Sequence, residues 1–115
     1  NNLMGEIGVF SYPIGADGKV GEGKMFVKFA SGMPDGLAIA ESGNLYIVLN
    51  QGAKIVVANS AGKILREIEF PRGSGVTNLC FGGADFKTMY ITVGTKGTVY
   101  KMPGDEPGLK LFSHR

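Results

Sequence analysis

The chain has 115 residues, enough for one ordinary domain, and its 43% hydrophobic content excludes a disordered polymer. Twelve Lys and Arg oppose ten Asp and Glu for a formal charge of +2, with no run of like charge long enough to track a phosphate backbone; nucleic acid is therefore not an expected partner. No segment reaches the roughly 18 uninterrupted apolar residues of a membrane span, so no membrane partner is expected either.

Nineteen glycines and five prolines are scattered instead of clustered, which predicts many turns between short elements and an all-β chain. The sequence opens Asn1-Asn2-Leu3-Met4, which is not a translation start and lacks the charged-then-apolar order of a signal peptide, so an upstream segment is expected. The first strand-like runs are Glu6-Ile7-Gly8-Val9-Phe10-Ser11-Tyr12 and Met25-Phe26-Val27-Lys28-Phe29. The glycine-rich residues 15–23 between them lack the GxxxxGK[ST] spacing of a phosphate loop, and no helical period follows. They read as a long hairpin loop turning at Asp17-Gly18. Asp17 and Glu22 alone are too few for an EF-hand calcium loop.

Four strand-like runs follow Pro34-Asp35-Gly36: Leu37-Ala38-Ile39-Ala40, Asn44-Leu45-Tyr46-Ile47-Val48-Leu49, Lys54-Ile55-Val56-Val57-Ala58, and a fourth over residues 64–70. Turns at Ser42-Gly43, Gln51-Gly52 and Ala61-Gly62 separate them. The first two runs are almost wholly apolar, as strands buried on both faces should be, whereas the fourth alternates Ile64, Arg66, Ile68 and Phe70 with Leu65, Glu67 and Glu69. Glu67 and Glu69 lie two apart on a strand, so they share one solvated face and do not form a catalytic acid/base pair.

A second series begins at Asn78 with Leu79-Cys80-Phe81. It continues through residues 88–93 and 98–102, with a last run over residues 109–112. Pro34-Asp35-Gly36-Leu37 aligns with Val76-Thr77-Asn78-Leu79, so Asp35 falls opposite Thr77. A repeat of about 40 to 50 residues built from four short strands describes a β-propeller blade. The expected fold is all-β, a partial β-propeller of about two and a half four-stranded antiparallel blades. Residues 1–33 form an outer half-blade, 34–75 a complete blade and 76–115 the last blade. Unpaired blade edges then favour self-association. Cys80, the only cysteine, permits no internal disulfide and is expected as a small buried hydrophobe. The only histidine, His114, sits in the tail, where solvation is its ordinary role.

The segments Gly32-Met33-Pro34-Asp35-Gly36-Leu37-Ala38-Ile39 and Gly43-Asn44-Leu45-Tyr46-Ile47 together resemble the regucalcin, gluconolactonase and luciferin-regenerating enzyme family. Thr77-Asn78-Leu79-Cys80-Phe81-Gly82-Gly83-Ala84-Asp85, followed by Lys87-Thr88-Met89-Tyr90-Ile91-Thr92, is similar to that family's last-blade signature. The resemblance covers nearly the whole chain but only the C-terminal portion of a six-bladed propeller. It implies a lactone hydrolase whose divalent cation, commonly calcium, is held near the channel axis by a Glu, an Asn and the Asp of the Pro-Asp-Gly segment. Of these only Asp35 has a counterpart here. Ala40 departs from the family, where an acidic residue is common, and the adjacent Glu41 stands beside it at a turn away from the metal.

The implied chemistry makes Asp35 both metal ligand and catalytic residue: the cation polarises the lactone carbonyl and the carboxylate helps activate water. A nearby dication also weakens a carboxylate as a base. Asp35 acting only as a ligand, with the cation activating the water, is the variant reading. Without the resemblance, Pro34-Asp35-Gly36 reads as a tight turn. Thr77 points toward the channel mouth as a substrate contact or a backbone cap, and Asn78 belongs to the turn. The small-molecule partner implied is a lactone, and the isolated chain is expected to bind metal weakly and to be inactive. A propeller face that binds a ligand or protein without catalysis is the competing reading.

Overall fold

Short apolar runs separated by glycine turns fold, among the described residues, as ten antiparallel strands in three sheets of a partial β-propeller, about two and a half blades. The computed structural model describes residues 2–3 and 5–114. The first sheet pairs β1 (Asn2–Leu3), β2 (Glu6–Ser11) and β3 (Lys24–Lys28). The central sheet runs in order through β4 (Pro34–Ile39), β5 (Leu45–Leu49), β6 (Lys54–Ala58) and β7 (Ile64–Glu69). The last comprises β8 (Val76–Gly82), β9 (Thr88–Val93) and β10 (Thr98–Pro103). No helix among the described residues is long and apolar enough to cross a membrane. The glycine-rich segment between β2 and β3 is a hairpin extension closed by an Ile14–Val20 bridge, with Gly18 at φ +79° in its turn.

Successive residues of a strand point to opposite faces, and the central sheet uses both. Tyr46, Val48, Ile55 and Val57 face the last sheet, where they meet Val76, Leu79, Phe81, Met89, Ile91 and Val93. The residues between them, Ile47, Leu49, Val56 and Ala58, face the first sheet and pack on Val9, Val27 and Phe29. This two-sided burial explains why β5 and β6 tolerate no charge beyond Lys54 at the end of β6. On β7, Glu67 and Glu69 are exposed on one face as expected, with Glu67 paired to Lys54 at 3.1 Å.

Two expectations are corrected. Cys80 is exposed: β8 turns Leu79 and Phe81 inward to the core, so the residue between them must project outward. Residues 109–112 are not a strand of the last sheet. Gly104, Pro107 and Gly108 break the path after β10, and the chain crosses to the free edge of β4 instead. There Glu41 N–H donates to the Pro107 carbonyl at 2.9 Å and Leu109 N–H donates to the Ile39 carbonyl at 3.0 Å. An open strand edge has unpaired backbone groups, and this short bridge satisfies some of them. A Cβ on Gly108 would lie 2.5 Å from Phe81 Cβ, so only glycine lets this segment approach the core. The chain then closes in a 3-10 turn, Phe112–His114.

Glu106 anchors the same crossing. Its carboxylate accepts hydrogen bonds from Ser42 Oγ, from Asn44 Nδ2 at 3.0 Å and from Tyr46 OH at 2.9 Å. Arg66 donates to Tyr46 OH at 3.1 Å and pairs with the exposed Asp105 at 3.2 Å. Burial pushes the Glu106 carboxyl up, but the bonds from Ser42, Asn44 and Tyr46 and the Arg66 charge outweigh it, holding the group below the usual carboxylate range. Burial, then the bond to Glu106, pushes the Tyr46 phenol up to about 12.

The core and this anchor give separable predictions. Ile91→Ala, at a fully buried site, should cost about 2–5 kcal/mol in urea unfolding. Glu106 stabilises the fold in full above the pKa of an unfolded glutamate, about 4.3, and that contribution is lost as pH falls through the lower folded value. Glu106→Gln should therefore cost about 1–3 kcal/mol at neutral pH and flatten the acid limb of a stability-versus-pH curve. Above about pH 10 the unfolded tyrosine ionises while Tyr46 keeps its proton, so stability should fall again at alkaline pH, and Tyr46→Phe should remove that fall.

Candidate metal-binding rim

β4 and β8 are the leading strands of neighbouring sheets and run side by side. Each carries a β-bulge at the same point of the repeat. On β4, Pro34 pairs with Leu49 and the next paired residue is Leu37 with Ile47, leaving Asp35 and Gly36 against the single residue Val48. On β8, Val76 pairs with Val93 and Asn78 with Thr92, leaving Thr77 as the extra residue. A bulge bends its strand and re-aims the side chain it carries. The 42-residue offset thus sets Asp35 and Thr77 at equivalent kinks.

Asp35 is exposed while its neighbour Pro34 is buried, and its carboxylate makes no hydrogen bond or ion pair among the described residues. An anionic side chain so placed is available to a ligand. Thr77 Oγ1 lies 2.6 Å from Thr92 Oγ1, a pair whose hydroxyls retain acceptor capacity. Asn78, also exposed, accepts the Leu79 N–H at 2.9 Å through Oδ1 and rests against Gly36. The structure therefore brings Asp35, Thr77 and Asn78 to adjoining bulges.

The donors at this rim are oxygen atoms of a carboxylate, hydroxyls and a carboxamide, which in kind suit a hard divalent cation. In number they fall short of a closed site. Asp35 supplies at most two of the roughly 6 to 8 oxygens calcium takes, and among the described residues no three His, Cys, Asp or Glu side chains come together.

Other residues considered from sequence lie elsewhere. Asp85 sits in the β8–β9 turn, where Oδ1 accepts the Lys87 N–H at 3.1 Å. Cys80 and His114 both line a cleft of about 410 Å³ beside β4 and β8, but His114 Nδ1 accepts the Leu111 N–H at 3.1 Å and its ring packs on Phe86, so no sulfur–imidazole pair forms. Sequence reasoning missed Asn50 and Thr92, which the rim uses. Thr92 reads as one polar residue in an apolar strand, and Asn50 as the start of a turn; only cross-strand register places them.

A family model described as the SMP-30/gluconolactonase/LRE-like region matches residues 4–95. The 6-deoxy-6-sulfogluconolactonase of Pseudomonas putida is 32% identical over 87 residues, 73% of this chain and 30% of that protein. Regucalcin of Gallus gallus is 27% identical over 100 residues, 84% of this chain and 33% of that protein. Among solved structures, a luciferin-regenerating enzyme superposes with a TM-score of 0.76 at 24% identity, covering 93% of this chain and 42% of that one. A calcium-binding regucalcin from Agrobacterium tumefaciens gives 0.68 at 18% identity, covering 89% and 42%. These last two likenesses speak to the fold. The chain spans about a third of the length of the curated relatives it matches. With the family model matching most of its residues, and with paired leading-strand bulges in propeller sheets, the chain belongs to the SMP-30/gluconolactonase/LRE-like family.

Proposed function

We propose that this chain is the C-terminal portion of a metal-dependent lactonase that opens sugar lactones, with Asp35 as a metal ligand and catalytic residue and calcium as the cation. The observation that carries the reading is the Asp35 carboxylate, presented at a leading-strand bulge without a partner among the described residues. Kinship supports the reaction class, since one relative is named a sulfogluconolactonase. The regucalcin fold neighbour, described as calcium-binding, supports the choice of cation.

A bound divalent cation supplies Lewis acidity toward the lactone carbonyl oxygen. Asp35 would hold the cation at the rim, and its carboxylate accepts the proton of the attacking water as the new C–O bond forms. The ring ester bond then breaks, and its oxygen takes that proton back from Asp35 and leaves as the hydroxyl of the hydroxy acid. Thr77 contributes a hydroxyl beside that reaction path, steadied by Thr92. Further blades of the ring would have to supply the remaining oxygen ligands, so this chain alone is expected to be inactive.

The test is calcium-dependent hydrolysis of gluconolactone by this chain and by a protein of the relatives' full length that contains it. Activity is expected in the longer protein alone, and Asp35→Ala there should lower kcat/KM by about 10²–10⁴-fold. Undiminished activity after that substitution would overturn the role of Asp35. A folded, full-length protein that hydrolyses no lactone would instead favour a ligand-binding propeller.

A further inference from the structure

Both bulges interrupt the ladder that would otherwise fix their strands, so the rim needs another tie. One residue provides it. Asn50 follows Leu49, the partner of Pro34, at the end of β5. Its backbone N–H donates to the Met33 carbonyl at 2.9 Å, just ahead of the Asp35 bulge. Its side-chain Nδ2 donates to the Val76 carbonyl at 2.9 Å, just ahead of Thr77. A single residue of the central sheet thus grips the entrances of both leading strands.

A second point of contact lies one residue deeper. A Cβ on Gly36 would come within 2.6 Å of Asn78 Cα, and closer still to the Asn78 side chain, so the two bulges touch there through a glycine. Asn78 is itself held by its bond to the Leu79 N–H. Two contacts, at Asn50–Val76 and Gly36–Asn78, resist both separation and twisting of the leading strands, which one contact would not.

We infer that Asn50 is a positioning residue for the rim: with the Gly36–Asn78 contact it sets the Asp35 carboxylate against the Thr77 hydroxyl so that both address one hard divalent cation. The inference rests on the metal role proposed for Asp35, and it adds that the geometry depends on a side chain that touches neither cation nor substrate. Asn50 acts through the backbone of the neighbouring blade.

Manganese titration of this chain, read as paramagnetic broadening of backbone amide resonances, tests the inference without catalysis and tolerates weak binding. Broadening is expected together at Asp35–Gly36 and Thr77–Asn78. Asn50→Leu keeps the branched shape and the backbone N–H but removes the donor to Val76. It should raise the manganese concentration at half-broadening severalfold at both pairs together, because Gly36 and Asn78 touch and report the same ion, while leaving the β5 and β6 resonances in place. If Asn50→Leu does not fold, Asn50→Ser, which cannot reach Val76, carries the same expectation. A purely structural role would lower the melting temperature yet leave the titration midpoint unchanged, and that result overturns the inference. Broadening that never reaches Thr77 in the unaltered chain overturns it as well. Broadening that survives Asp35→Asn overturns the metal role of Asp35 instead, and no broadening at all overturns both.

Discussion

The central sheet can exist only because something covers each of its faces. Consecutive residues of β5 and β6 point to opposite sides, and almost all are apolar, so either face left in water would expose a row of valines, isoleucines and leucines. The last sheet covers one side and the first sheet the other. That requirement sets the stacking of blades. It also brings β4 and β8 together, and their adjoining bulges make the rim.

The strands most legible in the sequence are those for which local pattern and global burial agree. Residues 54–58 and 88–93 were expected as strands and form β6 and β9 within the same bounds, because an apolar run between turn residues has one good solution in an all-β chain. The 42-residue offset located the two bulges without revealing that they are bulges. Their extra residues become visible only when β4 is counted against β5 and β8 against β9. Thus the position of Asp35 followed from its place in a recognisable segment, whereas its lack of a partner among the described residues did not.

What escaped the sequence depends on distant partners. Leu79-Cys80-Phe81 looks like a continuous buried run, yet the outward face of the last sheet has exposed Asn78, Cys80, Thr92 and Val99, so the period of two prevails over composition. Residues 109–112 alternate well enough for a strand, but the preceding Pro107 and Gly108 are already engaged with the edge of β4. Glu106 meets Tyr46 across 60 positions of sequence, and no local signal marks such a pair. Its carboxylate replaces lost hydration with three hydrogen bonds, which is why a charged residue can seal the end of an apolar core.

The same economy bears on why the rim holds so few ligands. Beneath it, Val48, Leu49, Val76 and Val93 are fully or nearly fully buried, giving the bulges a rigid base. Each of these two leading strands, however, carries only one bulge, because the rest of the strand must keep its ladder and its packing. Two leading strands therefore yield two rim positions, Asp35 and Thr77, of which one is anionic. On the proposed reading, donor number grows with the number of blades around the axis, while donor precision depends on how each pair of blades is tied. Asn50 and Gly36 address precision alone, and this chain can be geometrically prepared for a hard cation while still short of the oxygens that hold one tightly.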